Sequence, residues 1–395
     1  MRIAYGVHGY GRGHAVRALA VLAELSARHD VLVLAGRDAL GLLAPHRAEP
    51  IPCLGFAYLG ARLSAARTLR DNAGLLAELA LGRGAVRAVE ERLAAFRPDV
   101  VVSDSEPLVL RAAGRLGIPR IGLDHVGIIA WCRPAAPPAD ALRLERDAVI
   151  YRLLMGRPER AIVSSFFPAP PSHAGVFRVP PILRAQVLRA SPSDAGHLLV
   201  YFNSQPLLLG PSVLEAVAGA GLPAVIYGAD REGRDGPLTF RRIDPDRFVE
   251  DLAAARAVLS TAGHQLASEA LHLGKPMLLC PEESAEQRLN ARELVRLGAG
   301  RGARAETLDA RTLRAFLGGL DAHREALARL PRQGNAPALA LLEAVACSLA
   351  GAAPATAAPA GSVSGGVPDR PPAAWPGDRA APSSITPFAP TSARR

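Results

Sequence analysis

The chain has 395 residues, 49% of them apolar, and a formal net charge of +9. That length accommodates two domains with separate cores, and the apolar share excludes a wholly disordered chain. No uncharged apolar run reaches the roughly 18 residues that cross a bilayer, and the positive charge is dispersed arginine, with Lys275 the only lysine and no aromatic platform beside it, which argues against nucleic acid.

The first residues, Arg2 to Val7, read as a buried strand without a signal-peptide pattern, so the expected location is the cytoplasm. The glycine-rich loop from His8 to His14 follows. A helix is expected from Ala15 to Ala27, its apolar face made by Val16, Leu19, Leu22, Ala23 and Leu25, and a second strand from Val31 to Ala35. This order is a βαβ unit of a parallel sheet. Gly9, Gly11 and Gly13 resemble a dinucleotide fingerprint, but His14 stands where its third glycine belongs, which argues against a nicotinamide or flavin site. Gly11 and Gly13 remain candidates for contact with a bound donor, because glycine lets the backbone approach a ligand.

Residues Gly55 to Phe96 read as one or two amphipathic helices broken near Gly82 and Gly84. Strands are expected at Val100 to Val102, Arg120 to Leu123 and Ala161 to Ser164. The first two end in Asp104 and in Asp124-His125. Polar residues at the carboxyl ends of parallel strands are site candidates by position, and helix caps by the alternative reading. The Pro- and Gly-rich stretch after Ser165 is a connection, with a domain boundary at Pro180-Pro181.

A second α/β series follows. Its expected strands are His197 to Asn203, Pro223 to Tyr227, Ala257 to Ser260 and Pro276 to Cys280. Its expected helices are Ser212 to Ala220, Pro245 to Ala254, Gln265 to Leu273, Ala285 to Leu297, Thr307 to Leu330 with a break near Asp321, and Asn335 to Leu349. The resulting division is 1–180, 181–350 and an Ala/Pro-rich tail, 351–395, whose composition predicts disorder. The four cysteines have no metal-ligand or redox spacing, so free thiols and no metal are expected.

The stretch Ser260 to Asn290 carries the most chemistry. Gly263 opens a helix whose first N–H groups and dipole favour an anion. Glu269 lies about two turns in, Gly274-Lys275-Pro276 ends the helix, and Glu286, Gln287 and Asn290 follow the next strand. Phosphate-binding and hydroxyl-binding groups together suit a nucleotide sugar.

These pieces resemble inverting glycosyltransferases of the GT-B fold, in the branch of UDP-glycosyltransferases and bacterial family 28-like proteins. The likeness spans residues 1 to 350. It rests on TAGHQLASEALHLGKPMLLCPEESAEQRLNA, on the GYGRGHAVRALA start, and on SFFP with PPILR. The resemblance implies two Rossmann-like parallel-sheet domains facing across a cleft, the acceptor in the first and the donor in the second. It implies that His14 is the base on the acceptor hydroxyl and that Asp104 orients it. It places Gly263 and Ser204 near the donor diphosphate, Glu269 on the ribose, and Glu286 and Gln287 on the sugar, with Asn290 in the same signature. Thr261 stands where plant-type relatives carry a histidine, so Thr261, backbone N–H groups or His264 must serve there. The implied donor is a UDP-sugar, used as co-substrate with no bound cofactor. The acceptor is open among lipid-linked, glycan and small-molecule hydroxyls. Contact with the inner membrane face accompanies the lipid-linked case. A nucleotide-sugar 2-epimerase and a non-catalytic sugar-nucleotide binder are the rival readings.

Overall fold

The computed structural model describes residues 1–59, 62–202, 209–229, 231–330 and 335–351. Ser204 and the expected tail beyond residue 351 lie outside the described residues. Two seven-stranded sheets organise the rest.

The first sheet holds β1 (Arg2–Val7), β2 (Asp30–Ala35) and β3 (Glu49–Pro50). A short hairpin, β4 (Tyr58–Leu59) and β5 (Arg62–Leu63), stands apart from it. The sheet continues with β6 (Val100–Asp104), β7 (Arg120–Asp124), β8 (Arg160–Ser164) and β9 (Val176–Val179). Its order is β3-β2-β1-β6-β7-β8-β9, all parallel. β1, β6 and β7 are buried along nearly their whole length because both faces of the sheet are covered. Ile3, Tyr5 and Val7 of β1 join one core cluster while Ala4 faces another, and Val100 and Val102 separate from Val101 of β6 in the same way.

The second sheet holds β10 (Leu198–Tyr201), β11 (Ala224–Tyr227), β12 (Gly233–Asp235), β13 (Leu238–Arg241), β14 (Ala257–Ser260), β15 (Met277–Leu279) and β16 (Gly300–Gly302). Its order is β12-β13-β11-β10-β14-β15-β16, parallel except for the β12–β13 edge pair. Leu198 and Val200 face one cluster and Leu199 the other. A continuous apolar cluster joins the units, running from Ile128, Trp131 and Phe167 to Val258 and Leu266.

Several boundaries differ from expectation. The first helix is Arg12–Leu25, three residues earlier than the apolar pattern suggests, because the glycine loop closes at Gly11. Residues 65–96 form two helices, Ala65–Leu81 and Ala85–Phe96, with Gly82 left-handed between them. The break expected near Asp321 falls at Gly318-Gly319, between helices Ala310–Leu317 and Leu320–Ala328. The last helix, Ala336–Ala350, returns to the first sheet and buries Leu339, Leu342 and Val345 in its core. Asn335 fastens that return, donating to the Leu183 carbonyl at 2.6 Å and accepting the Leu183 N–H at 2.8 Å.

Strand order reverses between β1 and β6 in the first sheet and between β10 and β14 in the second. The carboxyl ends of strands at such switch points are where open α/β sheets bind ligands. Residues following all three of β1, β14 and β15 line one cavity of about 1590 Å³.

Candidate active site

β1 and β6 lie side by side with Val7 opposite Asp104, and the His8 N–H donates to the Asp104 carbonyl at 3.0 Å. The chain turns at Gly11, whose φ of 80° lies in the left-handed region open to glycine. It then enters the helix Arg12–Leu25, which puts His14 and Arg17 on one face, three residues apart. His14 Nδ1 lies 2.7 Å from Asp104 Oδ1. Arg17 Nε donates to Asp104 Oδ2 at 2.8 Å, and its terminal nitrogen donates to Oδ1.

The charges follow from this geometry. Burial works to raise the Asp104 pKa, but Arg17 and then His14 outweigh it and hold the carboxyl below its ordinary value. An ionised carboxylate only accepts, so the His14 proton sits on Nδ1 and leaves the Nε2 lone pair for the cavity, which His14 lines. Burial lowers the His14 pKa and Asp104 opposes that shift, with a net lowering that keeps the ring neutral near pH 7. A neutral, oriented imidazole is a proton acceptor. Asp124, the other strand-end carboxylate, takes the capping alternative. It accepts the Gly127 N–H at 2.6 Å and the Tyr151 hydroxyl.

The opposite wall comes from the second sheet. After β14, Thr261 and Gly263 lead into the helix His264–His272, whose Gly263 start has no side-chain cap. The open N–H groups and helix dipole suit an anion. The two helix starts meet closely: a Cβ on Gly13 would lie 3.5 Å from the Gln265 Cβ. Gly11, Gly13, Thr261, Gly263, His264, Glu269, Glu286 and Gln287 all line the cavity with His14.

The expected donor residues have further partners. Glu269 is fully buried and forms a two-pronged ion pair with Arg184, Nε to Oε1 at 2.8 Å and the terminal nitrogen to Oε2 at 2.6 Å. His264 stacks on His125 with ring centroids 3.6 Å apart, and burial and His125 hold its pKa well below the ordinary value. A neutral His264 can offer a hydrogen bond to a diphosphate but no charge. Asn290 is completely buried. It donates to the Ala262 carbonyl at 2.9 Å and to Glu286, with its Oδ1 2.8 Å from His125 Nε2, so it ties the two units together. Burial lifts the Glu286 pKa to about 7, with Asn290 opposing. Gln287 accepts the Glu282 N–H at 3.1 Å and shapes the turn between β15 and the helix Ala285–Arg296.

Sequence reasoning missed Arg17 and Arg184, and had His125 only as a strand-end candidate without a partner. Arg17 repeats the His14 face of its helix, but one arginine among so many carries no signal. Arg184 lies in PPILR, a quoted motif whose arginine had no assigned task.

A family model described as glycosyl transferase family 1 matches residues 1–321. No curated protein matches the sequence. Solved structures with a similar fold include the glycotransferase of kitacinnamycin, at 21% identity and a TM-score of 0.61 over 87% of this chain and 98% of that one. CalG4, the calicheamicin glycosyltransferase, has 20% identity and a TM-score of 0.59, with 88% and 98% covered. Arabidopsis thaliana UGT89C1 complexed with UDP has 16% identity and a TM-score of 0.60, with 88% and 99% covered. The shared architecture is GT-B: two Rossmann-like units facing across a cleft.

Proposed function

The chain belongs to glycosyl transferase family 1 and is a glycosyltransferase, and on that premise we propose that it transfers sugar with inversion from a UDP-linked donor to a hydroxyl of an apolar acceptor. The observation that carries the reading is His14 on the cavity wall opposite the helix start at Gly263, held 2.7 Å from the buried Asp104.

In this reading the acceptor hydroxyl gives its proton to His14 Nε2 as its oxygen attacks the anomeric carbon from the first unit. The bond to the diphosphate breaks on the opposite side, which inverts the configuration. Asp104 offsets the charge His14 gains, and Arg17 fixes Asp104. The departing diphosphate meets the N–H groups at Gly263, with Thr261 beside them and Arg12 also on the cavity wall. Glu286 and Gln287 lie where the sugar would sit. Glu269 reaches the ribose when the Arg184 pair opens.

Apolar residues crowd the acceptor side. Tyr10, Phe56, Leu69, Ile129, Ile150 and Leu154 line it. The helix Pro138–Met155 adds exposed Leu142, Val149, Ile150 and Leu153, the first at 80% exposure. Such a stripe suits a lipid-linked acceptor or another apolar aglycone, and contact with an anionic membrane surface. No helix among the described residues is long and apolar enough to cross a membrane.

The test is the anomeric proton coupling of the product after incubation with α-linked UDP-sugars and a panel of lipid-linked and small apolar acceptors. A β-linked product, with Asp104→Asn reducing turnover by about a hundredfold or more, supports the proposal. An α-linked product contradicts inversion. Co-sedimentation with anionic but not neutral vesicles tests the membrane contact, and failure to co-sediment removes it.

A further inference from the structure

A second group of side chains converges beside the dyad. His8 Nδ1 is 3.4 Å from Cys53 Sγ and 3.9 Å from Glu106 Oε2, and the three atoms lie within 4.8 Å of one another. The His8 ring meets the His14 ring edge-on, with centroids 5.4 Å apart. We propose that His8, Cys53 and Glu106 form a binding site for a soft divalent cation of the zinc type, on the cavity wall next to His14.

The donor set fits that chemistry. Imidazole nitrogen, thiolate sulfur and carboxylate oxygen are the three ligand types zinc takes. Zinc–ligand bonds of about 2.0 to 2.3 Å in a tetrahedron set ligand atoms about 3.3 to 3.6 Å apart. The observed separations from His8 Nδ1 need adjustments of a few tenths of an ångström.

An independent observation points to an occupant. Glu106 is 1% exposed, and its Oε2 has no hydrogen-bond partner among the described residues. A buried carboxylate oxygen left without a donor is costly, and native structures rarely keep one without a reason. Its other oxygen is occupied, accepting the Leu108 N–H at 2.9 Å as the cap of the helix Pro107–Arg115. The Ser103 hydroxyl holds the Glu106 backbone, accepting its N–H at 2.8 Å and donating to its carbonyl at 2.9 Å. Oε2 is thereby held toward the sulfur and the imidazole.

The sulfur is held as firmly. The Gly9 N–H points at Cys53 Sγ at 3.3 Å, the kind of outer hydrogen bond that orients a thiolate ligand. Gly36 lets the Cys53 loop approach, since a Cβ there would lie 2.5 Å from the Cys53 Cβ. His8 lines the cavity, so an ion has a route in. Three protein ligands leave the fourth position to water. Binding displaces the thiol proton and the proton on His8 Nδ1 to solvent, so affinity rises with pH. The inference does not depend on the donor or acceptor proposed above.

The experiment uses the full chain, reduced and freed of metal by chelation, titrated with Co²⁺ and then Zn²⁺ and followed by absorbance and by competition with a chromophoric chelator. The expected result is one equivalent of Co²⁺ with thiolate-to-cobalt charge-transfer absorption, displaced by Zn²⁺. Cys53→Ser abolishes that absorption. Glu106→Gln keeps an amide oxygen to cap Leu108 and weakens zinc about tenfold or more. Should Cys53→Ser fail to fold, alkylation of the unaltered protein decides: zinc protects the Cys53 peptide from iodoacetamide. No charge-transfer absorption, unchanged absorption in folded Cys53→Ser, or no protection of Cys53 overturns the proposal.

Discussion

Replacing Arg17 by methionine perturbs the proposed base without touching it. Arg17 is 3% exposed, bonds both oxygens of Asp104, and brings a terminal nitrogen within 3.2 Å of His14 Nδ1. Its positive charge disfavours protonation of His14 and neutralises the carboxylate that favours it. Two unit charges about 4 Å apart interact by about 4 kcal/mol at an effective dielectric constant near 20. That corresponds to a ceiling of about 3 pH units. Water entry and side-chain relaxation in the methionine variant reduce the expected rise in the His14 pKa to about 1 to 2 units. The acid limb of any His14-dependent activity therefore moves upward. The assay is a ¹⁵N–¹H NMR titration of the histidine rings, with His14 assigned from its loss in His14→Asn. Arg17→Lys keeps the charge and serves as the control, with a His14 pKa near that of the unaltered protein. A shift of less than about half a unit in folded Arg17→Met would refute the electrostatic account.

Glu286 and His125, 3.5 Å apart, pull the pH dependence of stability in opposite directions. The folded pKa of Glu286 is raised to about 7, so its contribution is full below the unfolded carboxylate value and is lost as pH rises toward 7. The folded pKa of His125 is lowered to about 4 by burial, so stability is lost as pH falls from the unfolded histidine value toward 4. Each slope is at most about 1.4 kcal/mol per pH unit, and they oppose between about pH 4.5 and 6.5. With only the His125 slope left, Glu286→Gln should lose about 1 to 2 kcal/mol more than the unaltered protein as pH falls from about 6.5 to 4.5, measured by urea unfolding; parallel profiles would count against the assignment. Gly9→Ala would place its Cβ 2.1 Å from the Gly36 carbonyl oxygen, at a cost of about 3 kcal/mol. Gly41→Ala, with nothing within 4 Å of the added Cβ and a helical position in Arg37–Leu42, should gain about 0.5 to 1 kcal/mol. Equal effects of the two on urea midpoints would show that the Gly9 contact is not a real constraint.

Much of the site was legible because strand ends and helix starts announce themselves locally. The run Arg2 to Val7 and the glycine loop located His14, and β6 ended at Asp104 as its position suggested. The stretch from Ser260 to Asn290 folds as strand, turn, helix, strand and helix in the expected order. What escaped depends on distant pairing. His8, Cys53 and Glu106 come from three separate segments and have no spacing to recognise. Arg184 meets Glu269 because the connection between units doubles back over the second sheet's helix. Asn290 turned inward to join His125, an orientation that helical periodicity alone does not fix. The β12–β13 pair was missed because Gly233–Asp235 is short, exposed and charged, as an edge strand is. The return of the last helix to the first sheet is invisible in its own apolar pattern, which would suit either core.

A nucleotide sugar is expected in the cavity with its diphosphate at the helix start of Gly263. The most direct measurement is thermal unfolding of the full chain against a panel of UDP-, dTDP- and GDP-sugars, run in parallel on His14→Ala. One UDP-sugar should stabilise both proteins alike, by about 2.7 kcal/mol at a hundred times its dissociation constant, since His14 is assigned to the acceptor proton and not to the donor. No stabilisation by any nucleotide sugar would contradict the claim.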